Sequence, residues 1–277
     1  MRDNYDAIKT EGRNPRTLGI DKMSTLEMVK TINTEYRSVE DAVEAVAPEI
    51  AEAVDLIADA MKAGHHLIYV GAGTSGRLGV VDASECPPTF GVDPFLVRGI
   101  IAGGKEAMFR SSEGTEDSEE QGRAAIDAEG IEAGDVVVGL SASGRAPYVL
   151  GALKRAAELG AIPVGVNCNP GSLMEGCCRI TIAAYVGPEV ISGSTRMKAG
   201  LAQKLILNIL STGAMIRTGH VRSNLMVNVR PSNEKLKERA LRIIIELSGC
   251  DRASAEAALA EGGDVPAALD ILEAKKI

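Results

Sequence analysis

The chain has 277 residues, enough for one sizeable core with a small appendage. It carries 30 basic against 38 acidic side chains, a net charge of −8, and 3% aromatic residues with no Trp, which argues against a generic nucleic-acid surface. No run of 18 apolar residues suggests a membrane span, and the start Met-Arg-Asp-Asn-Tyr-Asp lacks the apolar core of a leader. Five Cys without Cys-x-x-Cys spacing fit reduced thiols in a cytoplasm, and His65, His66 and His220 do not make a metal set.

In chain order, residues 1–20 are polar and broken by Asn14-Pro15 and Gly19, which predicts an arm. Met23 to Lys62 reads as helical. Ser24 with Glu27 forms a capping box, and Ile50, Val54, Ile57 and Met61 recur at helical spacing. Short apolar runs then predict strands near Leu67–Gly71, Phe95–Arg98, Val136–Leu140, Ile162–Val166 and Ile180–Ala183. Most of them lack polar alternation, as expected for a parallel sheet covered by helices on both faces. A long helix is predicted from Thr195 to Thr218. It is apolar around much of its circumference and so needs cover on several sides. Beyond Pro231, two or three short helices end the chain, giving three expected parts at 1–62, 63–230 and 231–277.

Two strand ends carry the chemistry. After Leu67–Val70, the residues Gly71, Gly73, Thr74, Ser75 and Gly76 form a loop whose backbone can approach a ligand closely. Peptide N–H groups and hydroxyls of such loops surround phosphate or phosphosugar. The spacing is not that of a P-loop, and Gly71-x-Gly73-x-x-Gly76 matches a dinucleotide fingerprint only as a bare pattern. Ser141-Ala-Ser143-Gly144-Arg145 repeats the design after Val136–Leu140, which suggests two walls of one anion site. Ser192-Gly-Ser-Thr-Arg-Met-Lys198 supplies a third hydroxyl-rich segment; its Ser194 and Thr195 serve equally well as helix caps.

Eight blocks in order resemble the N-acetylmuramic acid 6-phosphate etherase family. They include Gly-Ala-Gly-Thr-Ser-Gly-Arg-Leu-Gly (71–79), Asp-Ala-Ser-Glu-Cys-Pro-Pro (82–88), Ser-Ala-Ser-Gly-Arg (141–145) and Gly-Pro-Glu-Val-Ile-Ser-Gly-Ser-Thr-Arg-Met-Lys-Ala-Gly (187–200). The resemblance implies a three-layer α/β/α sandwich around a five-stranded parallel sheet, the sugar-isomerase (SIS) fold, flanked by an N-terminal helical segment and a small C-terminal helical subdomain. It also implies a homodimer and no cofactor. The implied reaction removes the D-lactyl ether of N-acetylmuramate 6-phosphate, leaving N-acetylglucosamine 6-phosphate, in cell-wall recycling.

The site residues that follow are Gly73, Thr74 and Ser75 on the first loop, Ser141, Ser143 and Gly144 on the second, and Ser194, Thr195 and Lys198 on the third, with Lys198 as a point charge. Related phosphate loops usually carry a further hydroxyl where this chain has Ala146. The resemblance aligns Glu85 with a proton donor and Glu116 with the second catalytic carboxylate. The residues alone do not choose among Glu113, Glu116, Glu119 and Glu120. Removing a C2 proton and assisting departure of an ether oxygen needs two carboxyls in different protonation states, or one that cycles. A phosphosugar sensor would keep Ser75, Ser141 and Ser143 but have no use for Glu85 and Glu116. An aldose–ketose isomerase would also remove a C2 proton.

Overall fold

The computed structural model describes residues 9–110, 114–228 and 234–274. Five short apolar runs form one parallel sheet: β1 (Leu67–Gly71), β2 (Val97–Ile101), β3 (Val136–Leu140), β4 (Ile162–Asn167) and β5 (Ile180–Ala183). Their order is β2-β1-β3-β4-β5. The strands are buried on both faces, and alternate side chains enter two cores. Leu67, Tyr69, Val136 and Val138 face one core; Ile68, Val70 and Val137 face the other. This is the expected three-layer sandwich.

The first core is closed by α1 (Thr25–Glu44), α2 (Ala47–Lys62), α3 (Gly73–Phe90) and α6 (Lys198–Arg217). The second is closed by α4 (Glu119–Ala128) and α5 (Pro147–Glu158). A short hairpin, β6 (Val221–Arg222) with β7 (Leu225–Met226), leads to α7 (Glu234–Ser248), α8 (Arg252–Gly262) and α9 (Val265–Ala274). These helices pack on one another around a third cluster of Leu241, Ile244, Leu259 and Leu269. Val227 already belongs to that cluster, upstream of the expected boundary at residue 231.

Several expected elements shift for identifiable reasons. The helix expected from Met23 to Lys62 breaks at Ala45–Val46, and Pro48 sits in the first turn of α2, where a missing N–H costs nothing. Ser24 and Glu27 form the expected capping box. β2 begins at Val97 rather than Phe95, because Asp93 Oδ1 accepts from Phe95 N at 2.7 Å and turns the chain first. α6 begins at Lys198 rather than Thr195. Its first N–H groups are taken by the Glu189 carboxylate, which accepts from Lys198 N and Ala199 N, both at 2.9 Å. By length and composition α6 alone would pass for a membrane span, but one side of it lies in the first core.

The glycine loop is tighter than its sequence suggests. α3 starts at Gly73, directly after Ala72, so the segment read as a loop is the first turn of a helix. A Cβ on Gly71 would stand 2.7 Å from the Gly76 nitrogen, so no other residue lets β1 turn into α3 this sharply.

Candidate active site

In the order β2-β1-β3, the chain leaves β1 and β3 in opposite directions, and the carboxyl ends of these strands open a crevice. A cavity of about 300 Å³ lies there. It is lined by Ala72, Gly73, Thr74 and Ser75 after β1, and by Leu140, Ser141, Ala142 and Ser143 after β3. Glu116, Thr195 and Glu11 complete it. The structure thus brings together Gly73, Thr74, Ser75, Ser141, Ser143, Thr195 and Glu116 from four separate segments.

Among the described residues, no basic side chain lines this cavity. What the lining offers an anion is hydroxyls and the N-terminus of α3. Ala72 gives α3 no side-chain cap, so the N–H groups of its first turn are available to a ligand, whereas at the start of α5 Pro147 has no N–H and Tyr148 N is already bonded to Glu116 O. Arg77 does not face a ligand: its Nε donates to Met108 O at 3.1 Å and its Nη2 to Arg110 O at 3.2 Å.

The hydroxyls are oriented differently in the two walls. Ser141 Oγ accepts from Gly144 N at 3.1 Å, and Ser143 Oγ accepts from Arg145 N at 3.2 Å. The two Oγ atoms lie 3.4 Å apart, so one hydroxyl proton can bridge them while the other remains free to donate to an anion. Ser75 Oγ instead donates to Gln203 Oε1 at 2.8 Å, inside the protein. Its proton is committed, and towards the cavity it offers lone pairs. That suits a sugar hydroxyl better than a phosphate.

Glu116 sits at the rim, solvent-accessible at its tip but surrounded by enough protein that burial raises its carboxyl above the ordinary carboxylate value; the neighbouring Asp117 adds to the effect. Its backbone carbonyl accepts from Tyr148 N at 3.0 Å, which ties this loop to the start of α5. The other acidic candidates separate cleanly. Glu119 pairs with Lys154 Nζ at 2.9 Å on the outside of α4, Glu120 is exposed in the first turn of α4, and Glu113 lies outside the described residues. The cap of α4 is Ser118, accepting from Gln121 N at 3.1 Å, which leaves Glu116 ahead of the helix.

Four expected residues are not in the lining. Gly144 forms the turn, its N–H bonded back to Ser141. Ser194 is half-buried beside Thr195. Lys198, expected as a point charge for substrate, is fully buried, with Nζ 3.3 Å from Glu35 Oε2. Glu85 is exposed on α3, outside the cavity of its own chain. Nearby Asp82 is structural: it accepts from Tyr69 Oη at 3.1 Å and from Asn208 Nδ2 at 2.8 Å, joining α3 to β1 and α6. Two residues escaped the sequence reading. Gln203 stands behind Ser75, and Glu11 reaches the cavity from the N-terminal arm.

This crevice, with its serine-rich loop at the β1/β3 switch point, defines a sugar-isomerase-type α/β protein. The model of the glucokinase regulatory protein N-terminal SIS domain matches residues 49–157. A putative phosphosugar isomerase involved in capsule formation from Bacteroides fragilis shares the fold, with a TM-score of 0.52 and 18% identity over 71% of this chain and 94% of its own. Two relatives named N-acetylmuramic acid 6-phosphate etherase are much more similar. The one from Serratia proteamaculans is 55% identical over 260 residues, 94% of this chain and 88% of its own; the one from Symbiobacterium thermophilum is 57% identical over 92% and 85%. The chain belongs to the N-acetylmuramic acid 6-phosphate etherase family.

Proposed function

We propose that this enzyme cleaves the D-lactyl ether of N-acetylmuramic acid 6-phosphate, releasing D-lactate and N-acetylglucosamine 6-phosphate. The observation that carries the reading is the single cavity that unites anion-donating hydroxyls, Ser141 and Ser143, with a carboxyl raised above its ordinary value, Glu116. The relatives' names supply the substrate; the cavity supplies suitable groups.

The phosphate lies against Ser141 and Ser143. With the sugar ring open, C1 is an aldehyde and the C2 hydrogen is acidic. Glu116 takes that proton, the bond from C3 to the lactate oxygen breaks, and a proton reaches the departing oxygen. Water then adds to C3 of the unsaturated aldehyde and a proton returns to C2, so the balance is one water consumed per lactate released. Each acid or base contributes about 10²–10⁴-fold.

The family motif gives the proton-donor role to Glu85. Because Glu85 is exposed on α3 and outside the cavity of its own chain, that role requires a second subunit to deliver it. The surrounding surface supports such an arrangement. Val81, one turn before Glu85, and Leu201, Leu205 and Ile209 on the adjacent α6 are all exposed apolar side chains. The reading is therefore of a two-fold homodimer with active sites near the interface, working in the cytoplasm, where its five unpaired thiols are stable.

The test is incubation with N-acetylmuramate 6-phosphate and an assay for D-lactate. Release of lactate from the phosphorylated sugar supports the reading; binding without release would make the protein a phosphosugar sensor instead.

A further inference from the structure

The arm that precedes α1 is a fixed wall of the cavity. Residues 9–17 run past it, with Glu11 in its lining, and are fastened on both sides of that residue. Lys9 Nζ stands 5.0 Å over the ring of Tyr185. Thr10 N donates to Asn169 Oδ1 at 3.3 Å, and Asn169 Nδ2 donates to Thr10 Oγ1 at 3.1 Å and to Ala142 O, in the phosphate loop, at 2.8 Å. Asn14 Nδ2 donates to Glu35 Oε2 at 2.6 Å, Arg16 Nε to Glu35 Oε1 at 2.5 Å, and Thr17 Oγ1 to Val190 O at 2.8 Å. The arm thus spans from the loop after β3 to the loop before α6.

Between these fastenings stands Glu11. Its side chain is exposed, lines the cavity, and makes no hydrogen bond or ion pair among the described residues. A Cβ on Gly193 would stand 2.9 Å from Glu11 Oε2, so the carboxylate passes over a stretch of bare backbone. A pinned backbone carrying an unengaged carboxylate into a polar cavity is what a ligand-reading group requires. Among the described residues, the lining offers no cationic side chain for it to pair with. A carboxylate cannot serve a phosphate, because the two repel. It accepts hydrogen bonds from O–H and N–H groups.

Building on the phosphosugar reading of this cavity, we propose that Glu11 is a substrate-binding residue. It accepts hydrogen bonds from the hydroxyl or amide N–H groups of the sugar, while Ser141 and Ser143 hold its phosphate. It sets specificity by requiring a ligand with both ends: an anion at one wall and hydrogen-bond donors at the other.

The experiment is calorimetric titration of the full chain with N-acetylglucosamine 6-phosphate and, separately, with inorganic phosphate, for the wild type, Glu11→Gln and Glu11→Ala. The expected result is a Kd for the sugar phosphate raised about 10- to 100-fold in Glu11→Ala, equivalent to about 1.4–2.8 kcal/mol, with Glu11→Gln intermediate. The Kd for inorganic phosphate should be unchanged or lower, since a like charge has been removed, and the melting temperature should not move. A sugar-phosphate Kd within twofold of wild type in Glu11→Ala would overturn the proposal. So would parallel weakening of both ligands, which marks damage to the wall. Wild-type protein that binds neither ligand would instead defeat the phosphosugar reading itself, and with it this inference. D-lactate release by the wild type reports separately on the etherase reaction.

Discussion

Glu116, proposed above as the base, is tuned by its surroundings: burial first, then Asp117, make its proton harder to remove than that of a free glutamate. A base of this kind works closer to neutral pH. Since it must be ionised to act, activity falls as pH drops through its raised pKa. The acid limb of kcat/KM should therefore lie above the ordinary glutamate value and disappear in Glu116→Gln. That variant should lose about 10²–10⁴-fold in kcat while still binding phosphosugar. A pH–rate profile checks both; a limb at or below the ordinary value, or an unchanged kcat, would remove Glu116 from this role. At this scale the sequence was readable wherever residues follow a strand, because ligands gather at strand ends. Ser75, Ser141 and Ser143, read that way, line one cavity. Lys198 was misread because its counter-ion, Glu35, is 163 positions away, and a lysine in a hydroxyl-rich run looks solvent-facing. Glu11 left no local signal at all, since only the fold-back of the arm brings it to β1 and β3.

The arm, α1 and α6 meet at the Glu35 carboxylate. It receives Arg16 and Asn14 from the arm and Lys198 from the first turn of α6, and it is almost wholly enclosed. Arg16, then Asn14 and Lys198, hold its pKa down at about 2 against the opposing cost of burial. Because the folded value lies below the unfolded one, this contribution is fully present above the ordinary glutamate value of 4.5 and is lost as pH falls from there through about 2. Glu35→Gln leaves a fully buried lysine without its counter-ion, which costs about 3–5 kcal/mol, or on the order of 10 °C in melting temperature at pH 7. The difference from wild type should shrink as melts are repeated towards pH 2–3. An equal difference at all pH values would show that the charge is not what holds these elements together. Element boundaries were less legible than element types. The α1–α2 break follows from Pro48, and the late start of α6 follows from Glu189, which replaces the expected caps from a position nine residues upstream. That replacement leaves Thr195 free to face the cavity.

At the scale of the molecule, α6 presents an apolar surface to solvent. α6 buries Ala199, Ala202, Ile206, Leu210 and Ala214 in the first core, yet exposes Leu201, Leu205, Ile209 and Ile216. The sequence pattern already implied more apolar surface than one sheet face could cover. Among the described residues, the other helices do not cover the rest. Light scattering at micromolar concentration should report a dimer, and Ile209→Asp should shift it towards monomer with loss of lactate release, because Glu85 would no longer be delivered. A fully active monomer would contradict this. A parallel sheet covered on both faces was legible from strands lacking polar alternation; the order β2-β1-β3-β4-β5 and which helix covers which face were not, because they depend on crossovers rather than on any run of residues. The most direct test of the whole account is the fate of oxygen when N-acetylmuramate 6-phosphate is turned over in ¹⁸O-labelled water. Elimination followed by hydration predicts that D-lactate is released with its ether oxygen unlabelled and that the label enters the sugar at C3. Label in that lactate oxygen, or no lactate at all, would contradict it.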